Sequence, residues 1–268
     1  MYKIILLGEK GMLGNAVYKY FTKQGYVILT TSARWDSVDF RDFILKTQAD
    51  IIINCIGKIP QRKPVDGNEY VDLNENLPVF LESRGIPVIH PSTDCEFSGE
   101  LSLGLKYAKN AERDASDDYG KSKARISEKI ESSFKNTKMI RTSIIGHELG
   151  TQVSLLDWFL SATDKSVKGY ANHYWNGVTT LQWAKQAEYL ICNWATLPTL
   201  NQFGTTENNS KYDLLQIIKR VYSKQIDIVP FDTDVAVNKC LQSDMVLPGI
   251  EQQLMELKDF YKSDSDIV

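Results

Sequence analysis

The sequence predicts an α/β fold, a doubly wound parallel sheet with a smaller C-terminal lobe. Three observations carry it. Short apolar runs alternate with helix-like segments through the first half of the 268 residues. A glycine-rich turn, Gly8-Glu-Lys-Gly11-Met-Leu-Gly14, directly follows the first apolar run. After about Gly146 the rhythm changes to aromatic loops and separate helices. These set a dinucleotide-binding domain over 1–146, a mainly substrate-binding lobe over 147–262 whose segments can rejoin the first sheet, and a polar tail over 263–268.

Ile4-Ile-Leu-Leu7 is a compact apolar run, the pattern of a strand buried on both faces. Residues 8–14 form a turn and 15–24 a helix. Strands follow at 26–30, 50–54, 87–90 and 138–141. Between them, 40–47, 71–83 and 121–134 read as helices, with Pro78 disturbing the second. Beyond the boundary, 155–162, 181–194 and 211–222 read as helices, and 201–203 and 226–229 as strands. The aromatic stretch 169–180 reads as loop. The segment after Asp232 reads as irregular chain over a cleft.

Composition narrows the function. A formal charge of −3 offers no basic field for nucleic acid. The four cysteines include no C-x-x-C pair and the three histidines are isolated, so neither a disulfide scaffold nor a metal site is expected. No run approaches the roughly 18 apolar residues of a membrane span, and the first apolar run is too short for a signal peptide. The expectation is a cytoplasmic protein with no membrane or nucleic-acid partner.

The glycine turn lies between a strand and a helix, the context in which backbone amides and the positive helix end hold a pyrophosphate. The second strand ends in Thr30-Thr-Ser-Ala-Arg34, with no acidic residue for a ribose hydroxyl. Ser32 and Arg34, helped by Lys10, can hold a 2′-phosphate, or they are a solvated loop. Asp39, before Phe40, can meet an adenine amino group or cap the next helix. Small residues at Asn54-Cys55-Ile56-Gly57 suit a cofactor crossing the strand end, and Cys55 reads as a small hydrophobe. Ser92-Thr93-Asp94 puts hydroxyls at the same edge, or forms an ordinary turn. Tyr119 and Lys123 stand four residues apart on one helical face. A nearby ammonium lowers a phenol's pKa, which suits proton transfer.

The chain resembles the extended short-chain dehydrogenase/reductases, nearest the dTDP-4-dehydrorhamnose reductase group and a branch described as sugar nucleotide-binding proteins. The resemblance rests on Leu7-Gly-Glu-Lys-Gly-Met-Leu-Gly14, Ile53-Asn-Cys-Ile-Gly57, Ser92-Thr-Asp-Cys-Glu-Phe-Ser-Gly99, Tyr119-Gly-Lys-Ser-Lys123 and Arg141-Thr-Ser-Ile-Ile-Gly-His-Glu148. It implies a Rossmann-type domain and a catalytic set of Thr93, Tyr119 and Lys123. Thr93 is preferred to Ser92 because it lies four residues before Phe97. Tyr119 would protonate a sugar carbonyl, Thr93 would orient it, and Lys123 would hold the nicotinamide ribose. Met12 and Leu13 join the glycines in the cofactor turn. Lys58, Asp94, Cys95, Ser143, His147 and Trp175 would contact the sugar nucleotide. Relatives carry an aromatic residue where Cys95 stands and small apolar residues where Ile56-Gly57-Lys58 stands, so the sugar stays open.

The resemblance implies an NADPH-dependent reductase of a nucleotide-linked 4-keto deoxysugar, with NADH as the alternative cofactor. It further implies service in bacterial surface polysaccharide synthesis and is compatible with a homodimer. Two alternatives stand beside it. One is a noncatalytic nucleotide-binding regulator, as the β subunit of methionine adenosyltransferase resembles the same family. The other is an epimerase or dehydratase that recycles bound NAD and uses Asp94 and Glu96 as extra acid–base groups.

Overall fold

The computed structural model describes residues 2–61 and 67–262; the expected tail over 263–268 lies outside them. The first half comprises β1 (Lys3–Leu7), α1 (Met12–Lys23), β2 (Val27–Leu29), α2 (Val38–Lys46), β3 (Ile51–Asn54), α3 (Gly67–Tyr70), a π-helical turn (Val71–Asn76), α4 (Leu77–Glu82), β4 (Val88–Ser92), a 3-10 turn (Asp94–Glu96), α5 (Asp118–Ser133) and β5 (Thr137–Arg141). The second half comprises β6 (Ile144–Ile145), α6 (Leu155–Ser161), β7 (Ser166–Tyr170), β8 (His173–Trp175), β9 (Val178–Thr179), α7 (Thr180–Cys192), β10 (Leu200–Gln202), β11 (Asn209–Ser210), α8 (Lys211–Tyr222), β12 (Asp227–Phe231), β13 (Val237–Asn238) and α9 (Ile250–Lys262).

A six-stranded parallel sheet in the order β10-β5-β4-β3-β1-β2 forms the centre. Alternation along β1 splits its apolar run between two cores. Ile4 and Leu6 pack with Val17 and Phe21 of α1 and with Trp183, Ala184 and Leu190 of α7. Ile5 and Leu7 pack with Phe40 and Ile44 of α2 and with Leu77 and Leu81 of α4. Burying each such side chain contributes about 1.5–3 kcal/mol, which is why both faces carry helices. The chain leaves β1 toward β2, then crosses back to β3 on the other side. That reversal opens a crevice at the carboxyl ends of β1 and β3, where open α/β sheets bind ligands.

A second core gathers the lobe: Leu156 and Phe159 of α6, Leu214 and Ile218 of α8, Leu254, Leu257 and Tyr261 of α9, with Val167 and Ile228 from the paired strands β7 and β12. The stretch 169–180, expected as loop, holds the ends of β7 and all of β8 and β9. Its irregular composition hides strands of two to five residues, too short to alternate visibly. The segment after Asp232, expected as irregular, contains β13 and α9. Ile250, Leu254, Leu257 and Tyr261 recur at helical spacing and are all buried, a signal the sequence carried after Pro248-Gly249. The irregularity expected at Pro78 sits just before it, in the π-helical turn, while Pro78 takes the first turn of α4, where its missing N–H costs nothing. No described helix is long and apolar enough to cross a membrane.

Candidate active site

The turn after β1 is shaped by the absence of side chains. Gly8 takes φ +79°, and a Cβ there would lie 3.0 Å from the Cys55 carbonyl group. A Cβ on Gly14 would lie 2.0 Å from the Gly8 oxygen. Gly11 caps α1 without a side chain, and the first turn of α1, including Met12 and Leu13, contains no acidic residue. The first amides of the helix therefore face the crevice with positive partial charge. The donor set fits a pyrophosphate.

Around this turn, Lys10, Ser32 and Arg34 are exposed. Asp39 is exposed in the first turn of α2, and the cap of that helix is Ser37, whose hydroxyl accepts from Phe40 N at 3.2 Å. Phe40 is fully buried, its ring edge-on against Trp35 and its N–H given to Ser37.

The loop after β3 is pinned rather than free. Asn54 Oδ1 accepts from Ile56 N at 3.0 Å, and Lys58 N donates to Asn74 Oδ1 at 2.8 Å. Asn74 Nδ2 donates to the Lys58 carbonyl and to Ser122 Oγ, each at 3.1 Å. Gly57 stays exposed, close against Asn74. The Lys58 ammonium pairs with Glu69. Burial pushes the Cys55 thiol far up, so it is no nucleophile. Sequence reasoning missed Asn74, because a buried polar residue on an irregular turn leaves no periodic signal.

Thr93 and Tyr119 meet at the end of β4. Thr93 caps the 3-10 turn, accepting from Cys95 N at 3.1 Å and donating to Asp94 Oδ1 at 3.0 Å. Its hydroxyl lies near enough to the Tyr119 phenol to act on it electrostatically. Ser92 instead donates its hydroxyl to the buried Glu96. Tyr119 lies in the first turn of α5, which starts at Asp118 because Asp117 caps it through Gly120 N at 2.8 Å. The Tyr70 ring flanks Tyr119 at 5.9 Å.

The expected lowering of the Tyr119 pKa by Lys123 is not what the geometry gives. The Lys123 ammonium turns to the strand, donating to the Pro91 carbonyl at 2.6 Å and lying 3.3 Å from His90 Nε2. Burial pushes the Tyr119 phenol well up, Cys95, Asp94 and Glu96 add to the rise, and the Thr93 hydroxyl opposes it. Burial brings Lys123 down to about 8, against the pull of Glu96. Burial, then Lys123, holds His90 well below its usual value. At neutral pH the Tyr119 phenol therefore keeps its proton.

Asp94 and Cys95 lie beside this pair. Burial raises the Asp94 carboxyl, opposed first by Lys239, and pushes the Cys95 thiol up to about 12. Ser143 gives its carbonyl to Val178 N at 2.9 Å, joining β6 to β9. His147 and Trp175 belong to the interior of the lobe. His147 pairs Nδ1 with Asp157 at 2.7 Å and Nε2 with Tyr222 at 3.0 Å. Trp175 is buried in the lobe core against Gly177.

A family model described as the RmlD substrate binding domain matches residues 2–166. The chain belongs to this family. No curated protein matches it. Solved structures share its fold at low identity. A dTDP-4-dehydrorhamnose reductase from Clostridium acetobutylicum is 18% identical, with a TM-score of 0.82 over 97% of this chain and 99% of that one. A dTDP-4-dehydrorhamnose reductase from Bacillus anthracis, in complex with NADP, is 15% identical, with a TM-score of 0.84 over 97% and 100%. A UDP-glucose 4-epimerase from Thermus thermophilus, complexed with NAD, is 12% identical, with a TM-score of 0.74 over 98% and 99%. The family model ends within the lobe, at β7, so it covers both the glycine turn and the Thr93–Tyr119–Lys123 group.

Proposed function

We propose that the protein reduces the 4-keto group of a nucleotide-linked deoxysugar with NADPH, in the cytoplasmic synthesis of a bacterial surface polysaccharide. The observation that carries this reading is the grouping of buried Thr93, after β4, with Tyr119 and buried Lys123 of α5, at the sheet edge that also holds the glycine turn. Membership of the RmlD family supports the substrate class. The B. anthracis reductase, complexed with NADP, supports the cofactor.

The amides of the turn Gly8 to Gly14 would hold the pyrophosphate, Ser32 and Arg34 the 2′-phosphate, and Lys123 the ribose hydroxyls. NADPH, when bound, supplies the hydride. The Tyr119 phenol keeps its proton through neutral pH and delivers it to the carbonyl oxygen as charge develops there. The Thr93 hydroxyl fixes the direction of that oxygen. Lys123, brought down to about 8 by burial, follows Tyr119 one helical turn along α5. The dehydratase alternative called on Asp94 and Glu96 as extra acid–base groups, and Asp94 does lie buried beside Thr93. Glu96 is fully buried and paired with Arg113 and Arg141, which favours simple reduction.

The test is the loss of reduced-nicotinamide absorbance with dTDP-4-dehydrorhamnose, and NADPH affinity measured separately against NADH. Wild-type protein is expected to consume NADPH and to prefer it. Tyr119→Phe should bind NADPH as before and lose turnover by about 10²–10⁴-fold. Undiminished turnover in Tyr119→Phe would overturn the mechanism. Tight NADPH binding with no turnover of any 4-keto sugar nucleotide would favour a regulator.

A further inference from the structure

A carboxylate with no solvent contact lies directly beneath the reacting groups. Glu96 ends the 3-10 turn that begins after Thr93 and is fully buried. Its two oxygens divide their work. Oε1 accepts from Ser92 and, at 2.5 Å, from Ser127; those two hydroxyls are 3.2 Å apart. Oε2 takes Arg113 Nε at 2.7 Å and lies 2.7 Å from an Arg141 guanidinium nitrogen. The Arg141 contact is an ion pair without hydrogen-bond alignment; its directed bonds go to the Lys109 carbonyl at 2.9 Å and Gln202 Oε1 at 3.0 Å. Arg113 also pairs with Glu131.

The positions of these partners give the carboxylate its meaning. Ser92 immediately precedes Thr93 at the end of β4. Ser127 follows Lys123 by four residues, one turn along α5, and Glu131 follows by another four. The same turn abuts the helix start, where a Cβ on Gly120 would lie 2.2 Å from the Cys95 oxygen. Burying a carboxylate costs several kcal/mol before its partners offset it, more than an apolar residue filling the same space would cost. Packing alone does not account for a charge here.

We propose that Glu96 is a positioning residue, whose carboxylate fixes the register between the strand end carrying Thr93 and the helix carrying Tyr119 and Lys123. The proposal takes those three as the reacting set and so rests on the function proposed above. Its charge also reaches the set. Glu96 raises both Tyr119 and Lys123. The groups facing Lys123 are His90 and the Pro91 carbonyl from β4 and Glu96 from the 3-10 turn. Those facing Glu96 are Ser92 from β4, Ser127 from α5, Arg113 from the preceding loop and Arg141 from β5.

Titration of Lys123 by NMR, using isotope-labelled lysine with the signal assigned through Lys123→Met, separates this from a merely structural part. Glu96→Gln removes the negative charge, so the Lys123 midpoint should fall by about half a pH unit or more. Arg113→Gln removes a compensating cation, so the midpoint should rise. Ser127→Ala keeps the charge and loosens the register. It should lower turnover of dTDP-4-dehydrorhamnose by about tenfold while leaving NADPH affinity within about twofold. Midpoints that stay fixed, or move in the same direction in the two charge variants, overturn the proposal. If Glu96→Gln does not fold, Arg113→Gln decides alone, and a midpoint that does not rise overturns it. A wild-type protein that leaves the keto sugar untouched would defeat the reductase reading, while the two titrations would still decide whether Glu96 governs this group.

Discussion

The two ends of the crevice are held in place by opposite means. At the glycine turn, geometry follows from side chains that are missing: the backbone of residues 8–14 folds onto itself and onto Cys55, with no room for a Cβ at Gly14. At the Thr93–Tyr119–Lys123 end, geometry follows from polar groups that are buried: Asn54, Asn74, His90, Glu96, Ser122, Lys123, Ser127 and Arg141 are all shielded from solvent. Under the proposed function the first end would bind through backbone amides, which needs rigidity. The second would hold protons at chosen positions, which suits buried, partnered groups. One end is therefore steric and local, the other electrostatic and distributed.

The largest effect should come from breaking the steric end. Alanine normally favours a helix over glycine by about 1 kcal/mol. At Gly14 the added Cβ would meet the Gly8 oxygen at 2.0 Å and the Gly8 carbonyl carbon at 2.6 Å, both backbone atoms. The turn or α1 must move. Gly14→Ala is expected to destabilise by about 3–5 kcal/mol and to abolish NADPH binding, measured by denaturant unfolding and by titration. A loss below about 1 kcal/mol would show that the turn yields, and the contrast between the ends would collapse.

This difference also decides how much could be read in advance. The glycine spacing, the apolar runs of β1 and β3 and the Tyr119–Lys123 pair are local patterns, and the sheet and the position of the candidate site at its edge were legible from them. The commitment of Glu96 to Ser127 was not, because its partner lies 31 residues away and no local pattern marks it. The direction of the Lys123 side chain was misread for the same reason. Helical spacing aligned it with Tyr119, but the Pro91 carbonyl, 32 residues away, captures the ammonium. His147 and Trp175 carried family resemblance and no sign that their partners, Asp157 and the lobe core, lie inside the lobe.

A second prediction sharpens the electrostatic end. Lys123 falls from 10.5 to about 8 because burial disfavours its charge. Between those values the unfolded chain binds the proton and the folded chain does not, so stability rises with pH across that window. Below about 8 both states are protonated and the folded state bears the full penalty. Lys123→Met removes a penalty of about 3 kcal/mol at pH 7. It also deprives the Pro91 carbonyl of its donor, at about 1–2 kcal/mol. A net gain of about 1–2 kcal/mol is expected at neutral pH, fading as pH approaches 10.5, together with loss of turnover. Chemical denaturation at several pH values checks it. A destabilised variant at neutral pH would mean that the buried ammonium holds the site together rather than burdening it.

The smallest effect tests whether the steric rule applies glycine by glycine. Gly11 stands in the same motif, yet it takes an extended conformation as the cap of α1, with φ −78° and ψ 165°, which any residue can adopt. A Cβ there would meet only the Gly8 oxygen, at 3.4 Å, an ordinary contact. Gly11→Ala is therefore expected to change stability by less than about 1 kcal/mol, the cost of a poorer cap. Any loss of NADPH affinity should then exceed the loss of stability, because a methyl group at the helix end intrudes on the pyrophosphate rather than on the protein. If Gly11→Ala unfolded the chain as Gly14→Ala is expected to, the turn would be held by general tightness. If instead it folded normally and still bound NADPH unchanged, the cradle would lie elsewhere along the turn, nearer the Gly8 side, where the backbone meets Cys55.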